Sequence, residues 1–82
     1  MTPPARRLHA PRPVGVDAGP GRAPRRVDGR TVEGVREQWL VEDRWWTEQP
    51  LRRHYFELVL DGGRITVVFC DLLTRRWYTQ RA

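Results

Sequence analysis

The chain is 82 residues long, with a net charge of +5, 15 basic against 10 acidic residues, and 39% hydrophobic residues. That length allows one small domain whose stability is marginal, and no apolar run nears the roughly 20 residues of a membrane-spanning helix. One cysteine, Cys70, excludes an intramolecular disulfide, and with no apolar stretch behind the N-terminal arginines the expectation is a cytoplasmic protein without a secretory signal.

The charge is concentrated at the start. Residues 1–30 carry seven arginines against Asp17 and Asp28, whereas residues 31–82 carry eight arginines and eight acids, so the whole excess lies in the first 30 residues. There is no lysine. Six of the seven prolines fall within residues 1–24, and no aromatic residue precedes Trp39. Such a composition buries too little apolar area to offset its ordering entropy, so residues 1–12 are expected to be a disordered arm and 13–82 a single small β domain. Arg6, Arg7, Arg12, Arg22, Arg25 and Arg26 make the first 30 residues a basic arm. Two readings stand: the codon bias of a GC-rich genome, or an electrostatic footprint for nucleic acid.

Weak strands are expected at "RPVGV" and "APRRVDGRTV", with Asp28-Gly29 supplying residues that tolerate the positive φ of a tight turn. "TVEGVREQWLVED" fits both a strand and a helical stripe. Its β-branched valines and Gly34, which would cost a helix about 1 kcal/mol, favour strand. Val35, Trp39 and Val41 would then share a face.

Trp45 and Trp46 follow, adjacent, before "TEQP". Adjacent strand residues point to opposite faces, so the pair would split between core and solvent if the strand reaches it. A strand ending at Asp43 would let both rings fold back as a lid. The plainest role for such bulk in a small domain is core.

"HYFELVLDGGRITVVFC" is the clearest signal in the chain, two alternating runs joined by a glycine turn. A two-residue Asp61-Gly62 loop opposes Leu58 to Ile65 and Phe56 to Val67, gathering the large apolar groups on one face. A Gly62-Gly63 loop keeps the same faces; a three-residue loop would scramble them. "CDLLTRRWYTQ" reads as a turn held by Asp71 and Thr74, then a last strand near Trp77-Tyr78. The fold class expected is all-β: a small antiparallel barrel or rolled sheet of five to six strands.

No phosphate loop, metal-ligand spacing or nucleophile elbow is present, so no cofactor or metal is expected. His54, Cys70 and Asp71 are the one tempting set. The two-residue register separates His54 from Cys70 on opposite faces, which speaks against a Cys–His pair, and Asp71 reads as a turn cap. A catalytic role is therefore not expected. The candidate surface is an aromatic platform of Trp45 or Trp46 with Tyr55 and Tyr78, edged by Arg44, Arg52, Arg53 and Arg76. It would suit a protein partner or unpaired bases.

The run from Trp39 to Gln80 resembles a family of small bacterial domains of unknown function. The features shared are Trp39, Trp45-Trp46, "HYFELVL", Asp61-Gly62 and "DLLTRRWY". The family pattern also resembles the C-terminal piece of a catalytically inactive Y-family polymerase-like subunit of actinobacterial mutagenesis cassettes. The resemblance implies a non-catalytic module linked to error-prone DNA repair, with a polymerase complex among its partners. It carries over no catalytic residues. The chain departs from the pattern at Arg75, where the family usually has Gly, a residue free to adopt a left-handed turn conformation.

Overall fold

A computed structural model of the chain describes residues 11–44, 46–48 and 50–80. These form seven antiparallel strands: β1 (Arg12–Pro13), β2 (Val16–Ala18), β3 (Pro24–Val27), β4 (Arg30–Asp43), β5 (Leu51–Leu60), β6 (Ile65–Asp71) and β7 (Trp77–Thr79). The sheet order is β1-β7-β6-β5-β4-β3-β2. Its two outermost strands are consecutive in sequence, joined through Val14 and Gly15. The sheet therefore curls into a half-barrel, and Val27 of β3 packs against Phe56, Leu58 and Leu60 of β5 and Val68 of β6. Val14, Val16, Val32 and Trp77 pack around this inner cluster. The strand class is as expected; the count is seven because the Pro-rich start supplies two short strands, β1 and β2. The expected arm over 1–12 lies mostly outside the described residues, but Arg12 is in β1, opposite Thr79. Among the described residues no helix is long and apolar enough to cross a membrane.

The chain bend between β1 and β2 is fastened by Asp28. Its backbone N–H donates to the Gly15 carbonyl at 2.7 Å, and its Oδ1 accepts from the Gly15 N–H at 2.9 Å. Asp28 and Gly29 take φ of 50° and 83°, the two positive values of a two-residue hairpin that sets Val27 opposite Arg30.

The second Asp-Gly turn behaves differently, and this corrects the register expected for the central hairpin. The loop has three residues, Asp61–Gly63, with the Leu60 N–H bonded to the Arg64 carbonyl at 2.7 Å. Phe56 stands opposite Val68 rather than Val67, and Leu58 opposite Thr66 rather than Ile65. The reason is the residue after the Asp-Gly pair. Arg30 follows Asp28-Gly29 and resists positive φ; Gly63 follows Asp61-Gly62 and adopts 81° without steric cost, extending the loop by one. The extra residue turns β6 over. Val68 and Cys70 enter the inner core, while Ile65 is 45% exposed. His54 and Cys70, expected on opposite faces, are direct cross-strand partners.

β4 is strand throughout, as its valines favoured. It carries two extra residues relative to β5, Glu33 and Arg36. Such bulges reverse the alternation locally, so Val35 sits opposite inner Leu58 while Trp39 and Val41 sit opposite Tyr55 and Arg53. The expected single face for Val35, Trp39 and Val41 is thereby split. At the far end, Asp71 Oδ1 accepts from the N–H groups of Leu73 (2.8 Å) and Thr74 (3.2 Å), the turn cap its position implied. Arg75 occupies the left-handed region at φ 65°, a conformation that glycine adopts freely and a residue with a Cβ adopts at a cost.

Candidate docking face

The register that buries Val68 and Cys70 inside places Phe69 outside, and outside it meets an aromatic partner on each neighbouring strand. Trp39 of β4 is opposite Tyr55 of β5, Tyr55 is opposite Phe69 of β6, and Phe69 is opposite Tyr78 of β7. Tyr78 in turn faces Pro13 of β1. Four rings thus form one row across four strands. Trp39 and Tyr55 stack with centroids 5.3 Å apart and planes within 4°. Tyr55 and Phe69 lie 4.9 Å apart, and Phe69 and Tyr78 5.2 Å apart. Strand spacing of about 4.8 Å falls within the roughly 4.5–7 Å centroid separation of offset or tilted aromatic pairs, so neighbouring strands bring these rings into contact, Trp39–Tyr55 near-parallel and Tyr55–Phe69 inclined at 37°.

Phe69, at the middle of the row, is fully buried although it lies on the outer face. Arg53 completes its cover. The guanidinium carbon lies 4.4 Å from the Phe69 centroid, a cation–π contact. Arg53 Nη1 also donates to Tyr55 Oη at 3.2 Å, and that hydroxyl donates to Gln80 Oε1 at 3.1 Å. On the other flank Arg36 Nε lies 3.8 Å from Glu57 Oε1. The row is open at its β4 end, where Trp39 is 38% exposed.

The structure brings together only part of the expected platform. Tyr55, Tyr78 and Arg53 are in it. Arg52 is on the opposite face, where its Nε bonds Glu42 Oε2 at 2.8 Å. Arg44 is a turn residue with φ 52° at the end of β4, its carbonyl accepting from Thr47. Arg76 is exposed just before β7. Trp46 is 66% exposed in the β4–β5 connection, so it is not the core residue its bulk implied, and the strand ends at Asp43, before alternation can govern the pair. Trp45, Arg6 and Arg7 lie outside the described residues. Trp39 and Phe69 are the members that sequence reasoning missed. The signal for them was present: with a three-residue loop, Tyr55 falls opposite Phe69.

The arm arginines divide. Arg12, Arg25 and Arg26 are exposed. Arg22, half-buried at φ 63°, lies near His54 and Cys70; after burial, its charge is a lesser cause of the lowered His54 pKa, and it opposes the net rise of the Cys70 pKa. Burial is the larger cause in each case. It pushes the His54 imidazole down from its ordinary value and the Cys70 thiol up, holding both neutral. His54 Nε2 lies 2.8 Å from Gln38 Oε1, its ring stacks on Phe56 at 4.1 Å, and the Cys70 thiol points to the Asp71 carbonyl. A thiolate–imidazolium pair would require both shifts to run the other way. Among the described residues, no three His, Cys, Asp or Glu side chains group to hold a metal ion.

No protein-family model, curated protein or solved structure matches the chain.

Proposed function

We propose that the chain is a non-catalytic interaction module that docks a protein partner through the outer aromatic face of its sheet, in the setting of error-prone DNA repair. The observation that carries this reading is Trp39, a partly exposed tryptophan at the β4 end of a row of four cross-strand rings. A base-stacking platform offers flat ring faces to solvent; here the rings are turned toward one another across the strands, and what is exposed is Trp39, at 38%, with the Arg53 guanidinium held over Phe69. Rigid aromatic anchors of this kind concentrate binding energy in protein interfaces. The likeness of the Trp39–Gln80 pattern to the module of the inactive polymerase-like subunit supports the repair setting. The cytoplasmic expectation is part of the same reading.

A second reading, binding to single-stranded nucleic acid, draws on the exposed Arg12, Arg25 and Arg26 together with the charge excess of residues 1–30. Salt separates the two. Immobilised full chain and its Trp39→Ala variant are exposed to extract from DNA-damaged cells at low and high ionic strength, and single-stranded DNA binding is followed by fluorescence anisotropy. A partner retained at high salt and lost from the variant supports docking. DNA binding with a log–log salt slope of about −0.7 per phosphate contact, unchanged by Trp39→Ala, favours the second reading instead.

A further inference from the structure

A cavity of about 210 Å³ lies at the end of the half-barrel that carries the Asp28-Gly29 and Asp61–Gly63 turns. Its floor is apolar: Val27 and Leu60 belong to the inner cluster, and Val14 packs against it. One wall is polar. Thr79 stands opposite Val68 and Arg12 opposite Thr79, so both continue an inner row. Thr66 stands opposite inner Leu58, and Arg64, in extended backbone two residues earlier, shares its face. A second cavity, of about 430 Å³, follows β6 beyond its pairing with β7 and is bordered by the same four residues.

The charges around this wall are unequal in their partners. On the opposite rim Arg30 has Asp61 at 3.8 Å, and Asp28 Oδ1 accepts from the Gly15 N–H. Glu57, beside the larger cavity, has Arg36 at 3.8 Å. Among the described residues, Arg12 and Arg64 have no carboxylate within ion-pair distance, and no hydrogen bond engages the Thr66 or Thr79 hydroxyl. Two cations and two hydroxyl groups thus border one space, while each acid near it is already engaged.

We infer that this mouth binds a small phosphate monoester, its phosphate between Arg12 and Arg64 and its organic body on the floor of Val14, Val27 and Leu60. A monoester carries a charge of about −1.5 to −2 at neutral pH and three strong acceptor oxygens, which matches two guanidinium groups and two hydroxyl donors. A carboxylate brings one charge and two oxygens, and leaves half of the set unused. A phosphodiester brings one charge and a chain that leaves on both sides, whereas the apolar floor closes one side. Barrel mouths with an apolar lining and a few convergent polar groups are recurrent small-molecule sites. The site is on the inner face, away from the outer aromatic row, and so stands apart from the proposed docking of a protein partner.

Titration of the full chain with phenyl phosphate at low ionic strength, followed by amide-resolved NMR, tests it. Saturable shifts are expected at Arg12, Arg64, Thr66 and Thr79. Inorganic phosphate should bind more weakly, lacking the apolar body. Phenyl sulfate, of the same shape with a single charge, should bind about tenfold more weakly than phenyl phosphate. Arg64 is exposed, so Arg64→Gln should stay folded by circular dichroism and raise the Kd about tenfold or more; Arg12→Gln repeats the test from the other side. Thr66→Val, which keeps the side-chain shape, should raise it less. Trp39→Ala should leave the Kd unchanged, so loss of partner docking and loss of this site are read separately. The inference is overturned by shifts that do not saturate at millimolar phenyl phosphate or that spread over all the arginines. Equal affinity for phenyl sulfate, or a Kd indifferent to both arginine variants, overturns it too. An oligonucleotide without a terminal phosphate that binds the same residues as tightly would assign the wall to a nucleic-acid backbone instead.

Discussion

Phe69→Ala is the most informative perturbation of the fold, because it removes the central ring from a face that would ordinarily be solvated. In the structure that ring is buried, lies about 5 Å from the rings of Tyr55 and Tyr78, and is covered by Arg53 at 4.4 Å. Truncating a buried phenylalanine costs about 3–5 kcal/mol. Each aromatic pair adds about 0.5–1.5 kcal/mol beyond area burial, and these contributions overlap the truncation cost rather than summing with it. The upper part of that range is expected here, since Arg53 would lose the ring face it covers. A domain of this size has a total stability of about 4–12 kcal/mol at the usual 0.05–0.15 kcal/mol per residue. Phe69→Ala should therefore remove a large share of it, and Phe69→Leu, which keeps most of the volume, should cost about 1–2 kcal/mol. Urea unfolding followed by far-UV circular dichroism gives both values, and the fluorescence of the four tryptophans, with Trp77 partly buried against the inner cluster, provides a second probe. A Phe69→Ala protein within about 1 kcal/mol of the parent would refute the view that the outer row is a second apolar core.

The hairpin register predicts a contrast within β6: Val68→Ala should cost about 2 kcal/mol and Ile65→Ala about 0.5 kcal/mol or less, whereas the reverse order in urea titrations would restore the two-residue loop. Gly63 stands at φ 81° with no atom within 4 Å of where a Cβ would be, so Gly63→Ala should cost about 1–2 kcal/mol through backbone strain alone, and an unaltered melting curve would remove the three-residue loop. Arg75→Gly should stabilise the domain by a few tenths to about 1 kcal/mol, because Arg75 holds a left-handed conformation that glycine reaches freely; a loss of stability would count against that turn geometry. The His54 pKa lies below its ordinary value of 6.5 in the folded chain, so the unfolded chain binds the proton first as pH falls. Its contribution to stability is complete above 6.5 and declines through the window below that value, levelling once the folded-state pKa is passed; His54→Gln should flatten this dependence, and an equal slope in the variant would assign it elsewhere.

Much of the fold was legible because local chemistry and long-range pairing agree. Alternation and β-branched residues marked β5, β6 and, against a helical stripe, β4. Asp28-Gly29 marked a turn and Asp71 a cap, each by a side chain or backbone freedom that acts within a few residues. The register of β6 was not legible for a specific reason. In "ITVVFC" both faces are apolar, since one meets the inner cluster and the other meets the aromatic row. Alternation identifies a face by contrast, and a strand buried on both sides has none. The decision then falls to the loop, and the loop is decided by Gly63. The tryptophan pair failed differently: alternation was applied to residues beyond Asp43, where β4 has already ended.

The same residue that hid the register also builds the candidate face. With a two-residue loop, Phe69 would turn inward toward His54 and leave Tyr55 and Tyr78 without the ring between them. With Gly63 in the loop, Tyr55 faces Phe69, Phe69 faces Tyr78, and the row runs unbroken from Pro13 to Trp39. The bulge at Arg36 does the equivalent on the other side, bringing Trp39 to the outer face while Val35 stays opposite Leu58. Neither feature belongs to the aromatic residues themselves. A search for function among the large side chains alone, such as Trp45-Trp46, passes over them. The candidate face is positioned by one glycine and one extra arginine, and its exposed end at Trp39 lies where, among the described residues, no strand pairs with the other edge of β4 beyond Thr31.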